Sequence, residues 1–227
     1  MADIVNWVVC HRPFPVNQVD MYRKLCVGGY YDDISASETE GQNIAKYNPE
    51  LNELTALYWI WKNTKSEYVG LSHYRRFLFD NGKRMDAKRA EEILRDHDII
   101  LAPIRLKWNL MTNIDKAVGD QFFTDGYHAF RTEIDLHQPE YLQAFIETMR
   151  GDFMYYCNLF MARREIVEEY CKWLFSFLTD AAGRIDVSQG NDVQKRTAGY
   201  FGEVMWTVWL RKHHELKVYE ANVEVVG

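Results

Sequence analysis

Apolar residues along this chain fall into two patterns. Short β-branched or aromatic runs stop abruptly at polar residues, and longer stretches place apolar residues three and four apart. Ile4 to Cys10 (IVNWVVC) is a run of the first kind; it stops at His11-Arg12-Pro13 and predicts a strand emptying into a loop. Val16 to Asn48 is irregular, with turn chemistry at Gly28-Gly29, Asp32-Asp33 and Gly41. Its apolar "KLCVGGYY" argues for an ordered, functional loop rather than disorder. Asn48-Pro49-Glu50 predicts a helix start with Asn48 as cap, and Leu51, Leu54, Tyr58 and Trp61 then share one face to about Asn63. A strand from Glu67 to Ser72 follows and delivers His73-Tyr74-Arg75-Arg76 at its end.

Asp86 is placed to cap a second helix with Ala90, Ile93 and Leu94 inward, and "HDIILAP" predicts a buried strand ended by Pro103. Between Ile104 and Leu136 the periodicity is weak, which predicts ligand-touching loops. Pro139 opens a helix, "MYYCNLFMA" alternates like a strand, and Ile166, Val167, Tyr170, Trp173, Leu174 and Phe177 form a helical stripe. A polar loop from Gly183 to Thr197, a helix from about Gly199 to Lys212 and a closing strand in "LKVYEANVEVV" complete the chain. Strands alternating with helices predict an α/β protein, with helices on both faces of a mostly parallel sheet.

Composition narrows the functional classes. The 227 residues suit one substantial domain, and at 47% hydrophobic they can bury a full core. A net charge of −6 gives no reason to expect a nucleic acid polymer as ligand, so local basic clusters carry more weight than the total. Cys10, Cys26, Cys157 and Cys171 are scattered without zinc-finger spacing, and read as reduced thiols of a cytoplasmic protein. Neither a signal peptide nor a run of ~20 apolar residues is visible, leaving contact at a membrane surface as the remaining membrane role.

In doubly wound sheets, ligands sit at the carboxyl ends of strands. The first predicted strand ends in His11-Arg12 and the second in His73-Tyr74-Arg75-Arg76, so cations cluster where a phosphate-bearing ligand would lie. A solvated turn is the plainer reading of Arg75-Arg76, and alternation would let one arginine face the site while the other pairs with a carboxylate. No G-x-G-x-x-G, Walker lysine or G-x-S-x-G sequence is present. The acidic candidates are Asp32-Asp33, Asp120, Asp125 and Glu203. Glu203 lies in the apolar "RTAGYFGEVMWTVWL", where it either pairs with a base or faces the site with a raised pKa. Asn158, inside "YYCNLFMA", either satisfies backbone groups or contacts ligand.

The ordered segments "VVCHRPF", "GQNIAKYNPELNELTALYWIWKN", "EYVGLSHYRRFLF", "HDIILAP", "NLFMARREIVEEYCKWLFSFL" and "QKRTAGYFGEVMWTVWL" resemble a bacterial family of capsular and exopolysaccharide synthesis proteins. That family, long labelled a domain of unknown function, includes galactofuranosyltransferases of O-antigen assembly. The resemblance spans residues 4 to 212. It implies an A-type glycosyltransferase-like fold, a Rossmann-like sheet flanked by helices, with a nucleotide-sugar-binding half over about 1–103 and an acceptor-binding half over about 104–227. Where such enzymes present a metal-binding Asp-x-Asp, this chain presents His73-Tyr74-Arg75-Arg76. The implied chemistry is therefore transfer from a UDP-sugar, foremost UDP-galactofuranose, without a divalent metal or other cofactor, to a lipid-linked glycan.

Carried over position by position, the resemblance implies donor contacts at His11, Arg12, Asp32, Asn43, Asn48, Glu53, His73, Tyr74, Arg75, Arg76, Asn158 and Arg196. Glu203 is the first choice for the base of an inverting transfer and Asp125 the second; Val204 departs from the arginine common after that glutamate. A nucleotide- or glycan-binding module without activity and a nucleotide-sugar hydrolase are the competing readings.

Overall fold

A computed structural model describes residues 2–16 and 20–226. Strand β1 (Ile4–Cys10) runs parallel to β2 (Tyr22–Cys26), which in turn pairs the short β3 (Ala36–Ser37). The segment expected to be one irregular loop therefore contains two strands, although residues 17–19 of it lie outside the described residues. Two charged residues obscure β2 in the sequence, Arg23 and Lys24. Lys24 is nevertheless buried, because it pairs with Asp32 at 2.5 Å.

The expected helix 48–63 is two helices, α1 (Asn48–Leu51) and α2 (Glu53–Asn63). They are separated by Asn52, whose φ of 50° and ψ of −127° no helix accommodates. Asn48 is thus the first residue of α1 and not its cap; that position is Tyr47. Next come β4 (Tyr68–His73), β5 (Arg76–Asp80) and β6 (Lys83–Arg84). Helix α3 (Ala87–Asp96) is capped as expected, the Asp86 carboxylate accepting from the Arg89 amide. Strand β7 (Ile99–Arg105) continues through Pro103, because a register shift between Leu101 and Pro103 removes the need for an amide donor there.

Where loops were expected, α4 (Leu110–Val118) and α5 (Asp120–His137) form instead. Leu110, Ile114 and Val118 keep a helical stripe that the intervening polar residues dilute. Helix α6 (Leu142–Arg150), β8 (Phe153–Arg163), α7 (Arg164–Leu174) and α8 (Leu178–Gly183) follow. The last predicted helix is again broken in two, α9 (Thr197–Gly202) and α10 (Met205–Leu210), and the closing strand splits into β9 (Val218–Glu220) and β10 (Asn222–Val225).

The sheet runs β3-β2-β1-β4-β8-β7-β9, with β5, β6 and β10 branching from β4. It is mixed rather than mostly parallel: β1 pairs β2 and β4 in parallel, whereas β8 lies antiparallel between β4 and β7. Strict alternation sorts the core into two layers. Val9, Val69, Leu71, Leu101 and Phe160 join the layer that contains residues of α2, α5, α7, α9 and α10. Val8, Cys10, Ile100 and Met161 meet α3 and the β5 strand on the other face. All four cysteines are buried and free, and no described helix is long and apolar enough to cross a membrane.

Candidate active site

Because β1 and β4 are parallel neighbours, they end at the same edge of the sheet. The Tyr74 amide donates to the Val9 carbonyl at 3.0 Å, closing the two ends together. His73 pairs with Arg76 across an antiparallel hairpin, so Tyr74-Arg75 is its two-residue turn. The charged end of the strand is therefore a turn that projects past the sheet edge. It opens on a cavity of about 500 Å³, within the range of small-ligand sites.

Cations dominate one wall. Arg75, Arg76 and Arg196 line the cavity together with His11 and His73, and Arg12 braces the rim by donating to the Tyr74 hydroxyl. Both members of the arginine pair face the cavity, so the sharing of roles expected from alternation does not occur. Among the described residues, no carboxylate lies within ion-pair distance of Arg12, Arg75, Arg76 or Arg196; Arg75 instead lies over the Tyr74 ring and Arg76 over Tyr156. Unpaired guanidinium groups around a cavity are poised for an anion with several oxygens. Burial lowers the His73 pKa, with Arg76 adding to the effect against Glu53 and the Cys157 carbonyl. That carbonyl accepts from His73 Nε2 at 2.8 Å, which fixes the tautomer. His11 is lowered by burial and then by Arg12.

Two carboxylates line the same cavity. Glu53 opens α2 immediately after the Asn52 break and is buried to 8% exposure. Glu203 occupies the break between α9 and α10. Their approach follows from small residues: a Cβ on Gly199 would lie 2.4 Å from Asn52 Nδ2, and one on Gly202 would lie 2.2 Å from Leu54 Cδ1. Helix α9 thus seats on the start of α2 on either side of Glu53, and the next residue along is Glu203. Burial first, and then the neighbouring Glu53, push the Glu203 pKa up to about 8 against Arg76 and Arg196.

Of the expected site residues, some hold the cavity in place through hydrogen bonds and others lie away from it. Asn158 is buried, holds a positive φ of 52° and donates to Glu53 Oε1 at 2.8 Å. Asn48 lines the cavity and donates to Thr55 Oγ1 at 2.8 Å, while Thr55 donates to the buried Glu38. Glu38 also accepts from the Gly28 amide at 2.7 Å, so this network fastens the loop after β2 to α1 and α2. Asp32 does not line the cavity; its ion pair with Lys24 holds its pKa well below the usual carboxylate range. Asn43 is exposed and donates to the Thr39 and Gly41 carbonyls at 3.0 Å. Asp125 lies on α5, bonded to Gln121, and borders a separate shallow pocket. Among the described residues, the one cluster with metal-ligand types, Glu133, His137 and Asp180, joins α5 to α8 and none of it lines the cavity.

Sequence reasoning missed Val9, Val27, Asn52, Tyr156, Cys157 and Tyr200 in the lining. Cys157 and Asn158 both take positive φ, 56° and 52°, a local kink in β8 that alternation of apolar residues does not reveal. Tyr200 had a readable signal, lying three residues before Glu203 in "GYFGE".

The family described as Domain of unknown function (DUF4422) matches residues 6–214, which takes in every residue lining this cavity. The chain belongs to that family. Among solved structures it is similar to the apo structure of the WbbM bifunctional glycosyltransferase, with 25% identity and a TM-score of 0.82. The similarity covers 99% of this DUF4422 chain and 45% of that protein. No curated protein matches it.

Proposed function

We propose that this DUF4422 protein is a glycosyltransferase that moves a hexosyl group from a nucleotide-sugar donor to a glycan acceptor. The observation that carries the reading is the cavity at the ends of β1 and β4, which three arginines without an ion-pair partner and two carboxylates line together. Likeness to a bifunctional glycosyltransferase over nearly the whole chain supports it. UDP-galactofuranose is the favoured donor and a lipid-linked O-antigen or capsule glycan the favoured acceptor, both from the resemblance of the sequence segments. UDP-galactopyranose and UDP-glucose are the competing donors.

In this reading Arg75, Arg76 and Arg196 bind the donor diphosphate. The acceptor hydroxyl oxygen attacks the anomeric carbon, the bond from that carbon to the diphosphate oxygen breaks, and the electron pair leaves on the diphosphate. Fixed guanidinium groups stabilise that growing charge and take the part a divalent metal plays in other transferases. Glu203 takes the hydroxyl proton from the face opposite the leaving group, giving inversion, and its raised pKa makes it a strong base once ionised.

A donor screen tests the reading. Thermal shift with UDP, UDP-galactofuranose, UDP-galactose and UDP-glucose identifies the ligand by its stabilisation, and product analysis with a glycan acceptor follows. Transfer from one UDP-sugar is the expected outcome. Binding without transfer would favour a recognition module, and release of sugar phosphate with a nucleoside monophosphate would favour a hydrolase.

A further inference from the structure

Asn158 is an unusual residue to find inside β8. It is 1% exposed, its backbone is left-handed at φ 52°, and its Oδ1 has no hydrogen-bond partner while its Nδ2 donates to Glu53 Oε1. A left-handed asparagine costs about 1 kcal/mol or more, and a buried carbonyl without a partner adds to that. The return on both is one charge-assisted bond to a carboxylate on the cavity wall. Glu53 and Glu203 line the same cavity, and Gly199 and Gly202 let α9 settle against Asn52 and Leu54 on either side of Glu53, one residue short of Glu203.

We propose that Glu53 and Glu203 act as one proton-sharing pair, with Asn158 as the positioning residue that keeps the charge on Glu53 and the proton on Glu203. The amide of Asn158 can only donate toward Glu53 in the orientation it adopts, so it stabilises the ionised form of that member. Nothing donates to Glu203 in the same way among the described residues. The groups that face the pair are Arg76 from β5, Arg196 from the turn before α9, His73 from β4, and Tyr156 and Cys157 from β8. Two carboxylates in one half-enclosed site release their protons in two coupled steps.

The functional consequence rests on the transferase reading. The base becomes available only when the pair surrenders its shared proton, and a donor diphosphate that engages Arg76 and Arg196 removes the cations that promote that loss. Donor binding and proton occupancy of the pair are therefore linked, and the donor-bound state holds the proton to higher pH than the free protein.

Carboxyl-carbon NMR of glutamate-labelled protein measures the pair without any assay of transfer. In Glu53→Gln, Glu203 is expected to titrate about one pH unit or more lower than in the wild type. In Asn158→Leu, the lower of the two steps is expected to move up. Adding UDP to the wild type is expected to move the upper step up. An unshifted Glu203 titration in Glu53→Gln overturns the pair, and Glu53→Gln decides the matter even if Asn158→Leu fails to fold. If the titrations behave as expected and no UDP-sugar is transferred, the pair stands and the transferase reading falls. If transfer is found and Glu203 is indifferent to Glu53, the pair falls alone.

Discussion

The Arg12 guanidinium donates to the Tyr74 hydroxyl across 2.5 Å, tying the loop after β1 to the turn between β4 and β5. His11 and Phe14 meet the same ring edge-on at 5.1 and 5.4 Å, and Arg75 lies 5.0 Å from its centre. Tyr74 therefore organises the cationic wall without being charged. Tyr74→Phe keeps the ring and loses the hydroxyl, a loss worth about 0.5–1.5 kcal/mol, so UDP affinity should fall roughly 2- to 10-fold. Calorimetry with UDP checks this, and unchanged affinity would detach Arg12 and Tyr74 from the binding site.

Arg75 and Arg76 separate by a comparison of binding and stability. Both line the cavity without an ion-pair partner, so Ala at either position should weaken UDP by about 10-fold or more. Arg75 is exposed and its removal should leave stability within about 0.5 kcal/mol. Arg76 is half-buried with its guanidinium over Tyr156, and its removal should cost more. Denaturant unfolding beside a UDP titration gives both numbers.

If the arginines take the part of a metal, transfer should be as fast in excess EDTA as without it. Activity abolished by chelator and restored by manganese would contradict the assignment of the diphosphate to Arg75, Arg76 and Arg196.

Glu203 also predicts the shape of the stability profile. The folded protein holds this proton up to about 8, whereas the free carboxyl loses it near 4.5. Between those values the folded state binds more protons, so this group's contribution to stability declines as pH rises. Glu203→Gln removes the decline. At pH 8 it should melt higher than the wild type by about 2–4 °C, the equivalent of 1 kcal/mol in a chain of this size. His73, whose pKa is lowered, works on the acid side: stability falls as pH drops below its ordinary value of 6.5.

Much of the architecture was readable, and the failures have physical causes. The cap at Asp86, the stripe of α7 and the runs that became β1, β4 and β8 depend on local chemistry or on periodicity, which a sequence displays. Lys24 in β2 and Pro103 in β7 each contradict a propensity, and each is rescued by something distant: Asp32 in one case and a register shift against β8 in the other. The site follows the same division. Cations at strand ends could be seen in the sequence, whereas the Asn52 break and the left-handed Cys157-Asn158 pair are set by tertiary packing.

The seating of α9 gives a further prediction. Gly199→Ala would drive a methyl group into Asn52 and to 3.1 Å from the Glu50 carbonyl, so it should destabilise by about 1–3 kcal/mol. Any folded fraction should lose transfer more than it loses UDP binding, because Glu203 and Arg196 move with α9 while Arg75 and Arg76 do not. A kcat loss larger than the rise in donor KM is the pattern to look for; a KM rise with an unchanged kcat would contradict the role of Glu203.

The position of β8 constrains how this molecule comes into being. Its Phe160 and Met161 pair with Leu71 and Gly70 of β4 on one side and with Leu101 and Ile100 of β7 on the other. As the chain leaves the ribosome, β4 and β7 have both emerged long before the strand that joins them. Until Arg163 follows, two apolar strand edges stand open to any passing chain, the circumstance in which a nascent protein most needs a chaperone.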